Sequence, residues 1–179
     1  MAFEAMYRFY FPRLAQFVLR YVKSPVIAED LVQNVFLYIW RHQEKLRPQE
    51  SLRAYLFTAA KNQAIDYLRG RQVRDFSEYD SVESLETQTN TPEENYLHEA
   101  LERAFARAIQ QLPERRRMIY LMHREDGLTY QEIAEVLSIS VKTVETQMGR
   151  TLKFLRNYLS DFLPALGSGI LAGWFVLNL

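Results

Sequence analysis

The sequence contains no cysteine, so disulfides, thiolate metal sites and cysteine nucleophiles are all excluded. Such a chain suits a reducing cytoplasm. Histidine is scarce: His42, His98 and His123 are far apart, with no metal-ligand spacing, and each is expected at the surface or partly buried. No pair or triad of ionisable residues falls at a catalytic spacing on one face, which argues against an enzyme. The opening MAFEAMYRFYF lacks the charged n-region and small-residue cleavage site of a signal peptide. Net charge is missing too, at zero, an oddly even balance of 22 Lys/Arg against 22 Asp/Glu.

The distribution of charge resolves that oddity. Residues 1–74 carry net +6, residues 75–102 carry net −9 with no Lys or Arg, and residues 103–179 carry net +3. Two basic blocks flank one acidic block. A length of 179 residues allows one or two small domains, and the 48% apolar fraction can build their cores.

The chain is organised around GLTYQEIAEVLSISVKTVET, Gly127 to Thr146. Gly127 supplies the left-handed residue that ends one helix. Thr129 caps the next, with Glu132 completing a capping box and Leu128 against Ile133 as a hydrophobic staple. That helix directs Ile133, Ala134 and Leu137 inward. Ser138-Ile139-Ser140 makes a corner, with Ile139 as its buried plug and Ser140 as the following N-cap. On the next helix Val141, Val144, Met148, Leu152 and Leu155 gather on one side. Lys142, Thr143, Thr146, Arg150 and Lys153 gather on the other, a face with three cations, two hydroxyls and no acid. This is a helix-turn-helix pattern whose outer face suits a DNA major groove, hydroxyls towards base edges and cations towards phosphates.

Upstream, Phe3, Met6, Tyr7, Tyr10, Leu14, Phe17, Val18 and Tyr21 keep helical spacing, with Pro12 predicting a kink or two helices in sequence. Ser24-Pro25 opens a second helix to about Arg41. Ala28, Leu31, Val32, Val35 and Ile39 point one way. Asp30, Asn34, Leu37 and Arg41 point the other, with Gln33 and Trp40 on the flank. A Leu and a Trp on a polar face suggest a partner surface, although a further helix of the same domain could equally cover them. After a polar loop at 42–50, Ser51 caps a third helix to about Arg69, with Leu52, Tyr55, Leu56, Ala59 and Leu68 as expected core. Its basic end (Arg69, Arg71 and Arg74, with Lys61 upstream) and nearby Tyr55, Phe57 and Tyr67 can hold a nucleic-acid strand; a solvated helix end explains the cations as well.

Periodicity fades from Gln72 to Asn90, where an acidic, Ser/Thr-rich stretch reads as a flexible linker. Thr91-Pro92 restarts a long helix with Leu97, Leu101, Ala104, Ala108 and Leu112 inward, and Pro113 divides it from ERRRMIYLMHRED. The expected fold is all-α: two small helical domains, 1–71 and 92–160, joined by the flexible acidic linker 72–91, the second containing the helix-turn-helix. A hydrophobic tail follows at 161–179. Its last eighteen residues are uncharged and contain one GxxxG, but Pro164, Gly167, Ser168 and Gly169 leave only about ten strongly apolar residues, short of a membrane span. Packing on protein and membrane contact are both open for it.

These motifs together resemble a sigma factor of the sigma-70 superfamily, specifically the extracytoplasmic-function group. AEDLVQNVFLYIW (Ala28–Trp40) is similar to the segment that grips the clamp helices of the polymerase beta-prime subunit. LRAYLFTAAKNQAIDYLRGR (Leu52–Arg71) is similar to the segment that melts and reads the minus-ten element. The stretch from Leu112 to Arg156 is similar to the module that reads the minus-thirty-five element. The resemblance implies that Asp30, Gln33, Asn34, Leu37 and Trp40 bind core RNA polymerase. It implies promoter DNA contacts at Lys61, Asn62, Asp66, Arg69, Arg71 and Arg74, and in the second domain at Thr129, Tyr130, Lys142, Thr143, Glu145, Thr146, Gln147, Arg150 and Lys153. Loop 42–51 falls where such proteins capture a flipped-out base. An anti-sigma factor, action in the cytoplasm and no cofactor are implied as well.

Two positions depart from the family pattern: Glu145, where a basic residue is frequent, and Gln147, where Arg is common. Glu145 can accept from cytosine N4 or pair with a neighbouring cation, so base preference does not transfer from relatives. Two other readings stay open at this stage: a stand-alone helix-turn-helix regulator that binds duplex DNA without polymerase, and a helical adaptor that binds protein only.

Overall fold

The computed structural model describes residues 2–42, 51–72 and 94–160. Among them are seven helices and no strand: α1 (Ala2–Val22), α2 (Pro25–Arg41), α3 (Leu52–Gln72), α4 (Glu94–Gln111), α5 (Glu114–Arg124), α6 (Tyr130–Leu137) and α7 (Val141–Leu159). Loop residues 43–50, the acidic linker with Arg74 and the Thr91-Pro92 cap, and the tail from residue 161 lie outside the described residues. The chain divides into two compact units. The first holds α1, α2, α3 and α6; the second holds α4, α5 and α7.

In the first unit, α1 runs as one helix through Pro12 rather than as two. A proline there cannot donate to the carbonyl one turn back, and its ring crowds that turn. The Arg13 guanidinium takes up a neighbouring acceptor: Nη1 donates to the Phe9 carbonyl at 2.7 Å and stacks over the Phe9 ring, 3.8 Å from its centroid. The helix ends at Lys23, which is left-handed at φ 58°. Ser24 then takes the extended N-cap conformation with Pro25 at the first helical position, yet its hydroxyl makes no capping bond.

The core of this unit follows α2 as expected: Ala28, Leu31, Val32, Val35 and Ile39 are buried, with Phe36 beside them. Phe36 meets an aromatic row from α1, Phe3, Tyr7 and Phe11, at centroid distances of 6.1, 4.8 and 6.4 Å. On α3 the buried set is Ala54, Leu56, Phe57, Ala60 and Ala64. Leu52 is exposed, and Tyr55, Ala59 and Leu68 are only half-buried, so the expected α3 core is corrected. The stripe that packs, Ala54, Phe57, Ala60 and Ala64 at three-four spacing, is mostly small alanines, which lets helices approach closely. Phe57 fills that stripe against Phe17, 5.0 Å away at 70°, and is therefore core rather than a strand-holding aromatic.

In the second unit Ala104, Ala108 and Leu112 of α4, Ile119, Tyr120 and Met122 of α5, and Val144, Met148, Leu155 and Leu159 of α7 are buried together. Pro113 separates α4 from α5, as its missing N–H and fixed φ require. Gly127 ends the α5 segment in the left-handed region at φ 69°, and the Leu128 amide then bonds back to the Met122 carbonyl at 3.0 Å. The His123 ring, one nitrogen on the Leu128 carbonyl at 2.8 Å, braces the same turn and meets the Tyr130 ring edge-on.

The corner after α6 depends on two serines. Ser138 is left-handed at φ 54°, a conformation more often given to glycine or asparagine. Ser140 caps α7, its Oγ accepting from the Thr143 amide at 3.1 Å. Two expectations need correction here. Ile133 and Ala134 of α6 are buried as expected, but Val136 joins them while Leu137 and Ile139 are half-buried; on α7 Val141 is exposed and Leu152 half-exposed, off the buried stripe of Val144, Met148 and Leu155.

Candidate polymerase and nucleic-acid surfaces

The outer face of α2 is built by periodicity alone. Each residue that points away from the buried set is exposed: Asp30, Gln33, Asn34, Leu37, Trp40 and Arg41. Leu37 keeps 49% and Trp40 53% of its surface in water. Between this face and α1 lies a cavity of about 240 Å³ lined by Phe3, Tyr7, Gln33, Phe36, Leu37 and Trp40. Phe3 and Tyr7 thus extend the surface onto α1. Their helical spacing was legible in the sequence, but their presence beside Trp40 was not.

On α3, Ser51 caps the helix weakly, its Oγ accepting from the Ala54 amide at 3.4 Å while donating to Glu132 Oε1 at 2.6 Å. Arg53 approaches the other carboxylate oxygen of Glu132 at 3.9 Å. Lys61 is half-buried and its ammonium donates to the Val136 carbonyl of α6. Burial lowers the Lys61 pKa from its usual value. Asn62, Asp66, Arg69 and Arg71 are exposed, with Arg69 3.8 Å from Asp66. Asn62 and Asp66 along the second half of α3 and Arg69 and Arg71 in its last turn are thus in water, whereas Lys61 is engaged within its own unit. Nearby, Tyr38 stacks on His42 at 4.3 Å, and burial with Tyr38 alongside raises the Tyr55 pKa.

The outer face of α7 carries Lys142, Glu145, Thr146, Arg150 and Lys153, all exposed, so the acid-free face expected from the sequence is corrected by Glu145; Thr143 and Gln147 are half-buried at its edge. Thr146 Oγ1 donates to the Lys142 carbonyl at 2.8 Å, which leaves its lone pairs and methyl group facing outward. Thr143 Oγ1 shares a hydrogen with Ser140 Oγ at 2.8 Å, so it belongs to the cap. Glu145 pairs with Lys142 at 3.2 Å, the neighbouring-cation alternative for this position. Arg156, one turn beyond Lys153, is exposed on the same face and adds a cation not assigned from the sequence. Thr129 is exposed and Tyr130 half-buried against His123.

No group of three or more acids and histidines able to hold a metal ion occurs among the described residues. No described helix is long and apolar enough to cross a membrane.

Comparison with known proteins matches residues 6–74 to sigma-70 region 2 and residues 102–155 to sigma-70 region 4. The chain is 30% identical over 171 residues to the ECF RNA polymerase sigma-E factor of Escherichia coli (strain K12), spanning 90% of this chain and 88% of that relative. It is 29% identical to the sigma-E factor of Haemophilus influenzae, over 90% of this chain and 89% of that one. Among solved structures, the sigma factor RpoE in complex with the anti-sigma factor NepR, from Bartonella quintana, shares the fold at TM-score 0.63 with 23% identity, covering 89% of this chain and 97% of that one. CnrH in complex with the cytosolic domain of CnrY follows at TM-score 0.57 and 24% identity, covering 89% and 88%.

Proposed function

Because this chain belongs to the sigma-70 family, as an extracytoplasmic-function sigma factor that directs transcription and is not an enzyme, we propose which of its surfaces perform that task. The α2 face of Asp30, Gln33, Asn34, Leu37 and Trp40 binds the beta-prime clamp helices of core polymerase. The end of α3, from Lys61 through Asn62, Asp66, Arg69 and Arg71, with Arg74 beyond it, engages the minus-ten element. The α7 face, Lys142 to Lys153 with Thr129 and Tyr130 at the α6 side, reads the minus-thirty-five element. The domains doing so are 1–71 and 92–160, although α6 groups with the first compact unit.

One observation carries this assignment. On α2 every second-face residue is in water while its neighbours are closed into the core, so Leu37 and Trp40 keep apolar surface exposed that no described helix covers. An exposed Leu–Trp pair ringed by amides and an acid is the composition of an interface centre. An anti-sigma factor as a partner is supported by the complex with NepR in which the related fold of RpoE was solved. The cytoplasm is the compartment where such a subunit meets polymerase.

The test is reconstituted transcription with sigma-free core polymerase and genomic fragments from the protein's own source. Discrete RNA starts sharing two spaced upstream motifs are expected. Footprints on duplex DNA without polymerase, and no starts, would replace this reading with a stand-alone regulator.

A further inference from the structure

Gly149 lies in the middle of the α7 outer face. At about 100° per residue, Lys142, Thr146, Lys153 and Arg156 all fall within roughly 60° of it around the helix. At about 1.5 Å per residue, Lys142 and Arg156 stand some 10 Å to either side along the axis. All four are exposed, as is Gly149 itself. A glycine in mid-helix weakens the helix relative to alanine, because its backbone gives up more freedom on folding. Two reasons usually justify that weakness, and neither applies. Gly149 is within a regular helix and has no left-handed φ, and a Cβ placed on it would meet no atom within 4 Å. Gly70, the other helical glycine with open space around it, differs in falling near the end of α3, where helices fray.

We propose that Gly149 is the point of closest approach between α7 and promoter DNA: the missing side chain lets the duplex come against the helix backbone while the flanking cations reach phosphates on either side. This inference rests on the reading of α7 as the DNA-facing helix. With no Cβ at the centre, the helix settles deeper in the groove, and Lys142, Thr146, Lys153 and Arg156 share one contact surface instead of straddling a protrusion. A side chain at 149 would lift the helix and loosen contacts on both sides at once.

The experiment compares Gly149→Ala and Gly149→Leu with the unchanged chain, using a duplex that carries the upstream motif shared by the mapped RNA starts. Thermal melting and fluorescence anisotropy across a salt series give stability and affinity together. Both variants are expected to melt a few degrees higher, since each restores helix propensity on an open face. Affinity is expected to fall roughly fivefold or more for Ala, the size of one lost contact, and further for Leu, with a shallower salt slope as cations are lifted from phosphates. Higher melting with unchanged affinity in both variants would overturn the proposal, and so would destabilisation by Ala. Arg150→Ala is the control for the underlying reading. If it weakens binding and the Gly149 variants do not, the close approach fails alone; if it has no effect, the assignment of the α7 face fails.

Discussion

The Phe3 ring meets the Trp40 indole edge-on, centroids 4.9 Å apart at 64°, so this exposed aromatic of α2 is held from behind by α1. Half of the indole remains in water, and its orientation is set before a partner arrives. Pre-positioned aromatic anchors concentrate interface energy because little rotamer freedom is lost on binding. Trp40→Ala is therefore expected to weaken binding to core polymerase by about 2 kcal/mol or more. The circular dichroism spectrum should stay that of the folded chain, since Phe36 and its α1 neighbours keep the core closed. Co-elution with core polymerase at unchanged strength would remove Trp40 from the interface.

Arg150→Ala tests the opposite end of the chain. Arg150 is exposed on α7. If its guanidinium neutralises a phosphate, the variant loses affinity for all upstream sequences alike. The slope of log affinity against log salt becomes shallower by about one unit. An unchanged slope would mean that Arg150 faces elsewhere.

The helix-turn-helix was legible in the sequence because local chemistry dictates it: Gly127 ends a helix, Ser140 caps one, and the cations of α7 share a face. The α2 surface was legible for a similar reason, since three-four spacing separates buried from exposed residues cleanly. The core of α3 was not. Its stripe is carried by Ala54, Ala60 and Ala64, which register weakly in hydrophobic periodicity, while its conspicuous residues Leu52 and Tyr55 fall off that stripe. The position of Lys61 was not legible either. Its bond to the Val136 carbonyl joins residues 75 apart in sequence, a pairing that no local pattern encodes.

Ser140→Ala removes the oxygen that accepts from the Thr143 amide. The expected cost is about 1 kcal/mol of stability, the usual worth of a serine N-cap. Ser140→Asp should keep the cap and add a favourable charge at the helix start. Chemical denaturation of the three chains side by side checks the order, and an Ala variant as stable as the parent would show that the cap contributes nothing.

Burial holds the Tyr120 phenol above its ordinary pKa of 10.0; nearby Arg124 opposes this and Glu125 adds to it. The folded state thus keeps a proton that the unfolded chain releases first. Stability from this group is fully present below about pH 10 and is lost as pH rises through the raised value. Tyr120→Phe cannot ionise, so its alkaline unfolding curve should fall less steeply above pH 10 than that of the parent. Equal slopes would mean that another group governs alkaline unfolding.

Glu145 is the acid on an otherwise cationic face, and it is tied to Lys142 at 3.2 Å. Lys142 is largely and Glu145 about half in water, so the pair adds little stability by itself. Its consequence is for recognition: Lys142 must leave this carboxylate to reach a phosphate, and the carboxylate repels DNA except where a base offers a donor. Cytosine N4 is such a donor in the major groove. Glu145→Gln removes the repulsion while keeping an acceptor, and releases Lys142. Affinity should rise across upstream sequences and the salt slope should steepen by up to about one unit, as one more phosphate is neutralised. Discrimination at one base position should narrow, by about 1–3 kcal/mol if Glu145 reads a cytosine there. Selection from a randomised upstream duplex separates the two effects: a steeper slope with unchanged preference confines Glu145 to restraining Lys142, whereas a lost preference at one position assigns it to reading the base.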